Sequence, residues 1–222
     1  MANKILDITF DLETCDVTPT AAPLQLAAVA WDRTKKDAEG DPFLRDGKQL
    51  IAFNMRCDLT EAVMDGLTFS QNTIDFWSRQ PRETRQRVIG KESDIRLSPK
   101  ELWYSFFDWC DSLKDETDSD HIVLWCQGQD FDIPMMKHCA AKYGLKMPFN
   151  QYSFRDCRTL AFEMALTTED RIDEMFRYPK SAPYDYLPPI PDALQGYSHD
   201  ALFDCIRSTW SVWHILNKIK KG

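Results

Sequence analysis

Asp11 and Glu13 stand two residues apart in the run Ile8-Thr9-Phe10-Asp11-Leu12-Glu13-Thr14. In an extended strand that spacing aims both carboxylates at one face. Two acids on one face of a buried strand repel each other and lose their hydration, so they need a compensating cation, most simply a divalent metal. Taken alone, an Asp-x-Glu of this kind reads as solvated edge chemistry. Its meaning depends on partners further along the chain.

Two later stretches supply candidates. In Gly128-Gln129-Asp130-Phe131-Asp132-Ile133-Pro134 the proline is tolerated near a helix start. That places Asp132 at or just before a first turn, where the helix dipole favours a carboxylate. A plain N-cap and a site residue both remain open for Asp132. In Ser198-His199-Asp200-Ala201-Leu202-Phe203-Asp204, Asp200 is a good N-cap. On a regular helix His199 and Asp204 would diverge by about 140°. If the two serve one site, His199 must therefore precede the helix; the other reading of His199 is an exposed histidine ahead of a helix.

The elements that would position these residues follow from hydrophobic pattern and turn chemistry. Strands are expected at 5–10, 24–31, 50–55 and 121–126, the first three as an antiparallel meander. Helices are expected from the Ser70 cap to Gln80, from Pro81 toward Gly90, and from the Ser98/Glu101 capping box to about Lys114. Others are expected over 133–143 closed by Gly144, after a short strand at about Asp156, and from Asp200 to Lys220. The proline-rich 167–196 segment reads as an irregular excursion. Antiparallel strands followed by alternating strand and helix predict an α/β fold, a mixed sheet flanked by helices, in one domain spanning 1–222.

Composition narrows the function classes. A formal net charge of −8 argues against coating nucleic acid by bulk electrostatics, but clustered acids that hold metal ions are compatible with a nuclease. Seven cysteines lie scattered without a Cys-x-x-Cys pair, which disfavours a zinc site or a disulfide framework and fits buried reduced thiols. No segment approaches the roughly 20 apolar residues of a membrane helix, and the start lacks a signal-peptide layout. Cytoplasmic residence is expected, in the host cytoplasm for a phage-encoded protein.

Asp11-x-Glu13, the Phe131-Asp132 pair opening a helix, and His199 followed by Asp204 together resemble the three motifs of the DEDDh 3′→5′ exonucleases. The run from Thr68 to Trp77 and the run Arg155-Asp156-Cys157-Arg158-Thr159-Leu160 are similar to the subgroup of bacteriophage exonuclease A proteins and bacterial exoribonucleases. The resemblance implies a ribonuclease H-like fold, in which the sheet continues with parallel strands after the meander. It implies two divalent cations, Mg²⁺ or Mn²⁺, held by Asp11, Glu13, Asp132 and Asp204, with His199 as general base. The implied substrate is a single-stranded DNA or RNA 3′ end, cut to nucleoside 5′-monophosphates. Leu12, Thr14, Phe131, Trp77 and Arg158 are the substrate-binding candidates, Leu12 through its backbone at the terminal 3′-hydroxyl. For Trp77 core packing and base stacking both stand, and for Phe76 core packing is preferred. Arg79, Arg82, Arg85 and Arg155 are phosphate candidates whose other reading is a solvated helix face. The rival class is a non-catalytic binding module on the same fold. A homodimer is also expected as a candidate state, with the tryptophan-rich last helix as its surface.

Overall fold

The computed structural model describes residues 4–91, 93–168, 173, 177, 184 and 187–221. Its strands are β1 (Ile5–Thr14), β2 (Pro23–Trp31), β3 (Arg45–Asp46), β4 (Gln49–Leu50), β5 (Ala52–Cys57), β6 (Arg96–Leu97), β7 (His121–Cys126) and β8 (Phe154–Asp156). Six of them form one sheet in the order β6-β5-β2-β1-β7-β8, while β3 and β4 pair apart. β1, β2 and β5 are antiparallel neighbours, and β6, β7 and β8 join in parallel. This is the mixed sheet expected from the sequence, with β1 at its centre.

The helices are α1 (Leu59–Met64), α2 (Gln71–Arg79), α3 (Arg82–Val88), α4 (Pro99–Glu116), α5 (Gln129–Tyr143), α6 (Cys157–Thr168) and α7 (Ala201–Lys221). Ser70 and Ser98 cap α2 and α4 through their side chains, the latter in a full capping box. One expectation needs correction. The helix expected from Ile133 starts four residues earlier, because Gly128 at φ +99° makes a sharp left-handed turn that a side chain would resist. Pro134 therefore lies inside α5, and Asp132 falls in its first turn, within the expected place at or just before it. α1 and β6, too short to leave a periodic signal, were not expected. Much of the 167–196 excursion lies outside the described residues, although α6 reaches into its start and a 3₁₀ turn spans Asp192–Leu194.

The pleat of β1 divides the core. Leu6, Ile8, Phe10 and Leu12 point to the side of α4 and α5, where Phe10 stacks on Phe106 at 5.7 Å between ring centroids. Burying one such large apolar side chain is worth roughly 1.5–3 kcal/mol. The alternate residues Asp7, Thr9, Asp11 and Glu13 form a polar stripe on the other face, toward α7. Its inner end is fully satisfied. Asp7 accepts from Arg33 Nε at 2.7 Å and Trp125 Nε1 at 2.8 Å, and Thr9 meets Trp31 Nε1 at 3.0 Å and Thr209 Oγ1 at 2.7 Å. The outer end is the acidic pair.

α7 packs on the same face through Ala201, Cys205, Ile206, Trp210 and Trp213 against Ala27, Val29 and Trp31 of β2. Ala27 lets the helix approach so closely that the Cys205 thiol donates to the Ala27 carbonyl at 3.3 Å. Trp210 and Trp213 are buried, their indoles donating to the carbonyls of Pro188 and Lys35. Both indoles face inward rather than toward solvent. All seven cysteines are buried without a disulfide, and burial raises the Cys139 thiol to about 11. Among the described residues no helix is long and apolar enough to cross a membrane.

Candidate active site

Four chain segments meet at the C-terminal end of β1. Asp11 and Glu13 leave its polar face; Asp132 comes from the first turn of α5, which the sharp bend at Gly128 brings back over β1. His199 and Asp204 arrive with the head of α7. With Leu12, Gln127, Phe131, Arg158 and Arg207 they line a cleft of about 200 Å³.

The head of α7 is fixed from the sheet. Gln25 pairs with Glu13 across β1 and β2, and its buried amide donates to Asp200 Oδ1 at 3.1 Å while accepting from the Ala201 N–H at 3.1 Å. Asp200 Oδ1 also accepts from the Leu202 N–H at 3.3 Å, so Asp200 is the helix cap. His199 accordingly precedes the helix, at φ +63°, a conformation rare for a side-chain-bearing residue. Its backbone N–H donates to Asp204 Oδ2 at 3.2 Å, and its ring stands edge-on to Phe76 at 5.1 Å. Ligand atoms of Glu13, His199 and Asp204 all lie within 4.8 Å of one another.

The electrostatics are those of crowded, dehydrated acids. Burial first, then Asp132, Glu13 and Asp204, pushes the Asp11 carboxyl well above the ordinary range. Glu13 is raised well above it by burial, then by Asp204 and Asp132. Burial raises Asp132 as well, against the pull of the Leu12 backbone amide and Arg158. Asp204 is also raised by burial, with Arg207 and His199 opposing. Arg207 Nη2 stands 3.0 Å from Asp204 Oδ1 as an ion pair without hydrogen-bond alignment. The two guanidiniums of Arg158 and Arg207 do not balance four carboxylates. Asp132 is 2% exposed, and its Oδ1 atom is buried without a hydrogen-bond partner. An orphaned buried oxygen facing three more acids is a donor set of hard oxygens that suits divalent cations such as Mg²⁺ or Mn²⁺.

Opposite the acids, Arg158 Nη2 reaches the Gln127 carbonyl at 3.4 Å and lies over Gly128, where an added Cβ would stand 3.0 Å from it. Asp156 accepts from the Gly128 and Arg158 N–H groups at 3.1 and 3.0 Å and from the Thr159 hydroxyl at 2.9 Å. It joins the start of α6 to the turn before α5 and stays out of the cleft.

Two expected substrate-binding residues also stand apart. Trp77 is buried and donates its indole N–H to the Thr14 carbonyl at 2.9 Å; Thr14 is buried and donates its hydroxyl to the Asp16 carbonyl at 2.6 Å. Trp77 is thereby held away from the carboxylate cleft, and its ring forms part of the wall of a separate apolar pocket. Three residues at the site went unread in the sequence. Gln25 was the single polar side chain in an otherwise apolar strand, a signal that could have marked it. Arg207 follows Asp204 by one helical turn. Gln127, which accepts from Ser208 Oγ at 2.9 Å and so ties β7 to α7, carried no signal.

The cell-death related nuclease 4 (CRN-4) has a similar structure, with a TM-score of 0.61 at 20% identity over 98% of this chain. This chain spans 66% of that one, just under two thirds of its length. The nuclease domain of 3′hExo, a DEDDh family member solved with rAMP, has a TM-score of 0.53 at 11% identity over 100% of this chain and 96% of its own. Both establish the fold as that of these nuclease domains. No curated protein sequence matches the chain. A family model described as the 3′-5′ exoribonuclease Rv2179c-like domain matches residues 7–216. With nearly its whole length covered by that match, the chain belongs to the family of Rv2179c-like 3′-5′ exoribonuclease domains.

Proposed function

We propose that the protein is a metal-dependent 3′→5′ exonuclease that removes nucleoside 5′-monophosphates one at a time from single-stranded 3′ ends. The convergence of Asp11, Glu13, Asp132 and Asp204 on one cleft, with the Asp132 Oδ1 atom buried and unpartnered, carries this reading. RNA is the preferred substrate over DNA, on the strength of the family's description.

The four carboxylates would hold two divalent cations, Mg²⁺ or Mn²⁺, which would neutralise the acids and supply positive charge to the transferring phosphoryl group. His199, at the open side of the cleft beside Glu13 and Asp204, takes the proton from the attacking water as general base. The water oxygen bonds to phosphorus and the bond to the upstream 3′-oxygen breaks; that oxygen takes a proton from solvent, leaving a 5′-monophosphate and a strand one nucleotide shorter with a new 3′-hydroxyl. The Leu12 backbone, between the two acids, holds the terminal 3′-hydroxyl. Phe131 stacks on the terminal base, and Arg158 and Arg207 bind phosphate oxygens.

Matched 5′-labelled RNA and DNA single strands with Mg²⁺ or Mn²⁺ test the reading. A ladder of products shortened from the 3′ end, faster on RNA, is expected. Intact strands in both metals would refute it.

A further inference from the structure

α2 and α3 form a basic corner on an acidic protein. Between Phe76 and Arg87 the chain carries Arg79, Arg82, Arg85 and Arg87 against the single acid Glu83, while the whole molecule has a net charge of −8. Under this corner lies an apolar pocket of about 350 Å³, walled by Leu24, Phe69, Ile74, Trp77 and Ile89, with Arg85 at its side. A second hollow of about 270 Å³, lined by Arg82, Arg85, Gln86 and Ile89, shares Arg85 and Ile89 with it. Neither contains a residue of the carboxylate cleft.

The corner is nevertheless joined to the cleft. Trp77 of the pocket wall packs edge-on to Phe76 at 5.2 Å, and Phe76 in turn meets His199 at 5.1 Å. Arg87 of α3 pairs with Asp200 at 3.5 Å and lies over the Tyr197 ring at 4.8 Å, so the basic helix is tied to the loop that presents His199. Apolar walls that accept a base and guanidinium groups that meet phosphates are what a single strand requires, and both occur here side by side.

We propose that the α2–α3 corner binds the upstream part of the single strand whose 3′ end is in the cleft, with a base entering the apolar pocket and the following phosphates on Arg82 and Arg85. The occupant is a nucleic-acid strand because the corner is positive where the rest of the protein is negative. The proposal rests on the exonuclease reading. It separates affinity for a long strand, set at the corner, from hydrolysis of the terminal linkage, set in the cleft.

The test compares the parent with Arg82→Gln/Arg85→Gln and, separately, with Ile74→Glu, which puts a negative charge on the pocket wall at a half-exposed position. Affinity is read by fluorescence anisotropy of a 5′-labelled oligoadenylate of about 12 nucleotides ending in a phosphorothioate linkage, over a salt series. Hydrolysis is read on the p-nitrophenyl ester of a nucleoside 5′-monophosphate, which has no upstream strand. Both variants should bind the oligoadenylate at least about tenfold more weakly, and the double variant should lose about 1.4 from the slope of log affinity against log salt, at about 0.7 per phosphate contact. Ester hydrolysis should match the parent in both. Unchanged affinity and slope in an enzyme that cleaves the ester would overturn the corner as a binding track. A parallel fall in ester hydrolysis would overturn it too, by making α3 a support of the cleft. A parent that cleaves neither the ester nor an unmodified strand would overturn the exonuclease reading itself.

Discussion

The backbone N–H of His199 donates to Asp204 Oδ2 at 3.2 Å, across five residues that a regular helix would splay apart. The bond forms because Asp200 caps α7 and leaves His199 outside it in a left-handed conformation. It sets the imidazole against the acids while the rest of the helix is anchored to β2.

His199→Ala should lower kcat by about 10²–10⁴, the range for loss of a general base. Because the ring lies close to Glu13 and Asp204, the same variant distinguishes a base from a metal ligand. Calorimetric titration with Mn²⁺ should give the parental affinity within a few-fold. A large loss of metal binding would make His199 a ligand instead.

The metal-free protein should grow more stable as pH falls from neutrality toward the ordinary carboxylate range. The sign follows from Asp11, Glu13 and Asp132, whose carboxyls are raised in the folded state, so that the native protein binds more protons than the unfolded chain over that interval. Their contribution is present at low pH and lost as pH rises through the raised values. Asp16, held below its ordinary value chiefly by hydrogen bonding from Thr68, has the opposite slope, but at lower pH. Thermal melts in EDTA across this range measure the effect. Saturating Mg²⁺ should flatten it by replacing the protons.

Gly128→Ala should cost about 1–3 kcal/mol, since φ +99° strains any residue with a side chain. The new methyl also meets the Arg158 guanidinium at 3.0 Å and must displace it. A lower Tm with a raised KM for RNA is the expected pair of results. A lower Tm with an unchanged KM would remove Arg158 from substrate binding.

Trp77→Phe removes the indole N–H that bonds the Thr14 carbonyl. A loss of about 1 kcal/mol is expected, with hydrolysis of the p-nitrophenyl ester of a nucleoside 5′-monophosphate unchanged. Urea denaturation and initial rates measure the two quantities. A fall in ester hydrolysis at unchanged stability would place Trp77 at the carboxylate cleft.

The sheet and most helices were legible because β1, β2 and β7 are long apolar runs and because Ser70, Ser98 and Asp200 are strong caps. The acidic positions were legible because carboxylates at strand and helix ends are conspicuous against apolar neighbours. Trp77 could not be placed from its type, since an indole serves a core and a nucleobase equally well, and its bond to Thr14 and its seat in a pocket wall depend on tertiary packing. The early start of α5 depended on the left-handed turn at Gly128, a backbone choice that composition does not encode. Gln25 acts through a partner 175 residues away, and no local pattern reports such a distance.

Asp132→Asn tests the account most directly, because it keeps shape while removing the charge of a deeply buried acid of the cleft. Hydrolysis of a 5′-labelled RNA strand in Mg²⁺ should fall by at least about 10³, while the Tm in EDTA holds or rises as repulsion within the cluster is relieved. Parental hydrolysis in this variant would contradict the four-carboxylate site.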